Sequence, residues 1–136
     1  MVIDTSVLIA ILFDEPERHH FNELVASISP RRISSGTYLE TAIVLQCRYG
    51  KQALLDLKLY LATAGIEITG FDPEQAEIAA RAYGEFGKGR HPAGLNYGDC
   101  FAYALAKYTD VQRGRLPENG HRIGYLAEKN RSAVLM

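Results

Sequence analysis

The sequence predicts an α/β domain with a mainly parallel sheet. Three observations lead there. The chain opens on a wholly apolar run, Met1-Val2-Ile3, as strands buried on both faces do. Short β-branched stretches alternate with longer amphipathic ones, the pattern of strands and helices wound into one parallel sheet. The helical stretches also carry start and stop residues at their ends.

After the first strand, Val7 to Phe13 is densely apolar and reads as a helix that Asp4, Thr5 or Ser6 would cap. Asp14-Glu15-Pro16 breaks this pattern and opens a second helix. There Phe21, Leu24, Val25 and Ile28 follow the i, i+3, i+4, i+7 spacing, and Ser29-Pro30 ends it. Arg32-Ile33-Ser34 is a short second strand. Gly36 to Tyr49 is a helix stopped at Gly50. Lys51 to Ala64 is another, with Leu54, Leu57, Leu61 and Ala64 on one side and Gly65 as its stop. Ile66-Glu67-Ile68-Thr69 alternates and is a third strand. Asp72-Pro73-Glu74-Gln75 starts a helix: Asp72 caps, Pro73 takes the first helical position, and Gln75 can close the box. Ala76, Ala79, Ala80 and Tyr83 give it a small face for close packing. A loop with glycines at 87, 89 and 94 follows. Gly98 to Tyr108 is then apolar almost all round, as buried helices are. From Asp110 the periodicity fades, with Ile123 to Ala127 and Ala133 to Met136 as strand-like pieces.

The 136 residues suit one domain with one sizeable core. A composition 47% hydrophobic and 23% charged is globular, and a net charge of −1 provides no global basic field for nucleic acid. Local basic patches remain able to serve. Cys47 and Cys100 stand in apolar surroundings without metal spacing and read as reduced core thiols. No apolar run nears the ~18 residues of a membrane span, and no leader pattern precedes the first strand, so a cytoplasmic protein is expected.

Three acids stand out: Asp4 after the first strand, Glu40 in Ser35-Gly36-Thr37-Tyr38-Leu39-Glu40, and Asp99 in Leu95-Asn96-Tyr97-Gly98-Asp99. Each has a purely structural reading. Asp4 can cap a helix, and Thr37 to Glu40 and Asn96 to Asp99 both have the form of a capping box. The alternative is a cluster. Glu40 shares its helix face with Ile43, Val44 and Cys47, and Asp99 starts a helix with almost no polar side. In an open α/β sheet the strand ends and nearby helix starts border the ligand crevice. Two carboxylates ~4 Å apart repel by about 1 kcal/mol in water, and by several times that near a protein interior. A hard divalent cation removes that cost, and Mg²⁺ suits an open set of few carboxylates.

The motifs Val-Ile-Asp-Thr-Ser-Val-Leu, Ser35 to Glu40, and Leu-Asn-Tyr-Gly-Asp-Cys-Phe-Ala-Tyr-Ala-Leu-Ala at 95–106 resemble the PIN domain. More narrowly, they resemble the VapC-type toxins of bacterial toxin–antitoxin pairs. The resemblance covers residues 1 to 109 of one domain spanning 1–136. It implies a three-layer α/β/α fold with the first strand central in the sheet, and an endoribonuclease dependent on Mg²⁺ or Mn²⁺. Asp4, Glu40 and Asp99 take the family's acidic positions, with Ser6 and Asn96 as supporting polar residues. It also implies an RNA substrate, a small antitoxin that blocks the site, and a homodimer; the lack of a long apolar run leaves no membrane partner expected.

The family continues with a strand and then a Gly-Asn-Asp-Phe-like segment carrying a fourth acid. Here the chain reads Asp110-Val111-Gln112-Arg113-Gly114-Arg115 instead, and 110–136 diverges. Glu128 is the candidate substitute, and Asp110 is nearer but sits at a helix end. For RNA contact, Lys88 and Arg90 lead, beside His91. Arg31, Arg32 and the tail residues Arg113, Arg115, Arg122, Lys129 and Arg131 add charge. Tyr97 and Tyr103 offer rings to a base, though Tyr103 reads equally as core. Two other functions stand beside the nuclease. One is a module that binds an antitoxin but cuts nothing. The other is a receiver-type phosphoacceptor, for which the middle-strand Asp and late Lys are lacking.

Overall fold

A computed structural model of the protein describes residues 1–114 and the backbone of 134–135. Ten elements follow in chain order: β1 (Val2–Ile3), α1 (Thr5–Leu12), α2 (Arg18–Ser27), β2 (Arg31–Ser34), α3 (Ser35–Tyr49), α4 (Lys51–Thr63), β3 (Ile66–Thr69), α5 (Pro73–Phe86), α6 (Tyr97–Gln112) and β4 (Val134–Leu135). The sheet order is β3-β2-β1-β4. β1, β2 and β3 run parallel, and β4 pairs antiparallel with β1, Val2 opposite Leu135. The first strand is therefore internal, as expected.

The pleat of β1 divides the core between two faces. Ile3 points into one cluster with Val7, Leu8, Phe21, Leu45 and Leu57, drawn from α1 to α4. Val2 points the other way, against Ala102, Leu105 and Ala106 of α6. Behind them α5 meets α6 through Ala79, Ala82, Cys100 and Ala104. Helices thus cover both faces of the sheet, giving three layers.

Several local expectations shift. α2 begins at Arg18 rather than near Pro16, because Asp14 takes a left-handed φ of 55° and Arg18 N–H closes a turn onto the Glu15 carbonyl. α5 is rotated from the expected small face: Gln75, Ala79 and Ala82 are its buried residues, while Ala76, Ala80 and Tyr83 face outward. Gln75 does not complete a capping box. Its side chain is buried and donates to the Gly70 carbonyl at 2.9 Å. Cys47 is exposed rather than core, since α3 buries Thr37, Thr41, Ala42 and Leu45. The apolar run Ile43, Val44, Cys47 is therefore not a core face. Cys100 is buried, and both thiols are free.

Arg31 is spent on structure. Its guanidinium donates to the carbonyls of Val25, Ala26, Ile28 and Ala64, tying the ends of α2 and α4 to the sheet. Arg32 faces Glu67 across β2 and β3 at 3.6 Å. At the start of α5, Asp72 Oδ1 accepts from Gln75 N–H at 2.8 Å. Asp72→Ala is expected to cost about 1 kcal/mol, read as a lower urea midpoint at unchanged slope.

Candidate active site

β1 ends at Asp4, whose extended backbone (φ −94°, ψ 161°) turns the chain into α1. Its carbonyl accepts from Val7 and Leu8 N–H, but its side chain makes no cap bond. Instead Ser6 Oγ donates to Asp4 Oδ2 at 2.9 Å. Oδ1 is buried without a partner, and the residue is only 6% exposed. Burial pushes its pKa from 3.8 up to about 6; the charges of Asp99 and Glu40 push the same way, against the Ser6 hydrogen bond.

Glu40 does not cap α3. That role belongs to Ser34, whose side chain accepts from Gly36 N–H at 3.2 Å. The capping-box reading of Thr37 to Glu40 therefore fails, because the helix starts earlier, at Ser35. Glu40 Oε2 is buried without a hydrogen-bond partner. Its pKa is raised by burial and further by Asp99, with the Thr5 hydroxyl opposing.

Asp99 does close a capping box. Its Oδ2 accepts from Asn96 N–H and its own N–H donates to Asn96 Oδ1, both at 2.9 Å. Its structural reading and its position beside the other acids hold together, since the box engages one carboxylate oxygen.

Asp4, Ser6, Glu40, Asn96 and Asp99 all line one open cavity of about 350 Å³ at the carboxyl end of β1. Lys88 and Arg90 do not. They belong to the turn closed by the bridge between Gly87 and Leu95. Asp110 lies in the last turn of α6, near the Met1 ammonium, whose pKa burial lowers and whose charge Asp110 partly offsets, and so at the amino end of β1, away from the cavity. Glu128 and the strand-like piece 123–127 lie outside the described residues. Tyr97 is 79% exposed, while Tyr103 packs into the α5–α6 cluster.

Three further residues shape the site. Glu15 and Arg48 also line the wall. Arg48 carried a readable signal: Glu40, Val44 and Arg48 recur at i, i+4, i+8 on one face of α3. The third is Gly98. A Cβ built there would fall onto the Glu40 carboxylate, so a larger residue at that position would force that side chain to move. Its signal was a glycine in the first turn of an otherwise strong helix.

The donor set suits a hard divalent cation. Asp4 Oδ1 and Glu40 Oε2 accept no hydrogen bond from the protein within bonding geometry, which leaves both oxygens to a ligand in the cavity. Among the described residues no three His, Cys, Asp or Glu side chains close around a single point. The three carboxylates thus share a cavity as an open set and do not form a closed ligand shell.

Residues 1–113 match the PIN domain family. Ribonuclease VapC of Mycolicibacterium smegmatis is 51% identical over 109 residues, covering 80% of this chain and 84% of that one. Ribonuclease VapC30 of Mycobacterium tuberculosis is 48% identical over 109 residues, covering 80% and 83%. The crystal structure of VapC20 of Mycobacterium tuberculosis, described as a Sarcin-Ricin loop cleaving toxin, superposes with a TM-score of 0.63. It covers 79% of this chain and 82% of that one at 19% identity, a likeness of fold.

Proposed function

Since the chain belongs to the PIN-domain family, among its VapC ribonucleases, we propose that it is an endoribonuclease dependent on Mg²⁺ or Mn²⁺, the toxin of a toxin–antitoxin pair. The observation that carries this reading is the pair of partnerless buried oxygens, Asp4 Oδ1 and Glu40 Oε2, in a cavity shared with Asp99. Asp4, Glu40 and Asp99 would hold the cation. When bound, it activates water for attack on a phosphodiester and offsets the charge that develops.

The chain's own residues prepare that site. Ser6 fixes the Asp4 carboxylate through Oδ2, so that Oδ1 would be available to a cation. Asn96 holds Asp99 at the helix start, so its carboxylate is set by backbone geometry rather than by a free rotamer. Gly98 admits the backbone of α6 against Glu40. Lys88 and Arg90, exposed on their turn, would meet RNA beyond the cavity. A small antitoxin covering the cavity, a homodimer and a cytoplasmic location complete the proposal.

The test is RNA cleavage by purified protein after chelation and after return of Mg²⁺ or Mn²⁺. Cleavage only with metal is expected, and cleavage undiminished in chelator overturns the proposal. The open ligand set favours one second reading, an antitoxin-binding PIN module with little or no nuclease activity. It predicts a stable complex with a small partner and no cleavage at saturating metal.

A further inference from the structure

α1 and α3 lie side by side and run away from the acids together. Thr5 and Ile9 of α1, and Glu40, Val44 and Arg48 of α3, line the same cavity. Each set repeats every four residues, so the cavity is a furrow between two helix faces. From Glu40 to Arg48 is eight residues, or about 12 Å along the helix. Arg48 thus stands at the far end of the furrow. Its guanidinium lies over the Phe13 ring, 5.0 Å from the centroid, and Tyr49 meets the same ring edge-on at 4.7 Å. Among the described residues Arg48 makes no ion pair, although Glu15 lines the same wall.

A polyanion entering here meets four acids, Asp4, Glu15, Glu40 and Asp99, and one cation. A divalent ion at the three inner acids leaves the furrow negative unless something at its outer end favours phosphate. We propose that Arg48 is a substrate-binding residue: from its Phe13 platform it takes a phosphate of the RNA strand flanking the scissile one. This rests on the nuclease reading above and adds to it the direction in which the strand leaves the site. Arginine suits the task because its planar fork can bond two phosphate oxygens at once, and an aromatic face holds it without consuming its donors.

The bland alternative is a cation that merely complements the C-terminal dipole of α3 and packs on Phe13. The two differ in what substitution changes. With Arg48→Ala, KM for a short single-stranded RNA is expected to rise roughly tenfold with kcat within about threefold, the mark of lost binding rather than lost chemistry. Arg48→Lys should recover part of the loss. In the Asp99→Asn background, expected to leave RNA uncut, anisotropy of a labelled RNA should show the slope of log affinity against log salt falling by about 0.7 on adding Arg48→Ala, one phosphate contact. The metal-induced rise in melting temperature should not change. An unaltered KM and salt slope overturns the inference. So does a fall in kcat and melting temperature at constant KM, or a loss confined to binding of a protein partner. Failure of the nuclease reading looks different: the parent protein itself then cuts no RNA with metal.

Discussion

Asp4→Asn is expected to abolish RNA cleavage and, in the same protein, to raise metal-free stability near neutral pH. The two effects share one cause. Burial lifts the folded pKa of Asp4 from 3.8 to about 6, so the folded state holds its proton more tightly than the unfolded chain does. Below the unfolded pKa both states are protonated and nothing is lost. As pH rises the unfolded chain ionises first. Stability therefore declines from about pH 4 to about pH 6 and levels off roughly 3 kcal/mol lower.

Asparagine does not ionise, and its amide oxygen can still accept from Ser6. Allowing for an amide group with poor partners in the old Oδ1 position, a net gain of about 1–2 kcal/mol is expected at pH 7.5 in chelator, a rise of several degrees in melting temperature. The parent should recover its deficit on adding Mg²⁺ or Mn²⁺, and the variant should not. Melting curves at pH 4.5 and 7.5, with chelator and with metal, check all of this. A variant less stable than the parent at pH 7.5 in chelator would show that Asp4 is not the strained acid of the site.

Gly98→Ala is expected to remove most of the activity while leaving the fold in place. Alanine in a helix is preferred over glycine by up to about 1 kcal/mol, so the helix itself gains. The new methyl would lie on the Glu40 carboxylate, which must swing out of the cavity. A fall in kcat of at least roughly tenfold is expected, since displacing a catalytic group by about an ångström can cost a hundredfold. The melting temperature should stay within a few degrees. Adding Glu40→Asp, one methylene shorter, should return part of the activity by restoring room. Gly36→Ala serves as the contrast. There the Cβ would meet the Phe101 ring, which is packed edge-on against Phe71 and Tyr97 at 4.7 and 5.2 Å. Loss of stability, about 1–3 kcal/mol for overpacking, should dominate. Equal melting loss in both variants would mean that Gly98 serves packing rather than the carboxylate.

Much of this fold was legible residue by residue. Asp72-Pro73 started α5, Gly50 separated α3 from α4, and Ile66 to Thr69 formed β3, all as their local chemistry predicts. Such signals work because a cap, a left-handed glycine or an alternating run acts within a few residues. Asn96 and Asp99 form the box their spacing suggests. The Glu40 box failed for an equally local reason: Ser34 offers a competing cap one turn earlier.

What the sequence alone determined is thus the succession of elements and the types of residue at their ends, including three acids whose placement suggested a shared cavity. Tertiary structure decided what those acids meet. The register of β1 on β2 sets α1 beside α3, and only then do Ile9, Val44 and Arg48 become walls of one furrow. The descent of α6 onto Glu40 turns Gly98 from a weak helix residue into the one that makes room for a carboxylate. The rotation of α3 about its axis exposes Cys47 and keeps Thr37 and Thr41 inside. These are contacts between segments far apart in the chain, set by how whole faces pack, and no local pattern encodes which faces will meet.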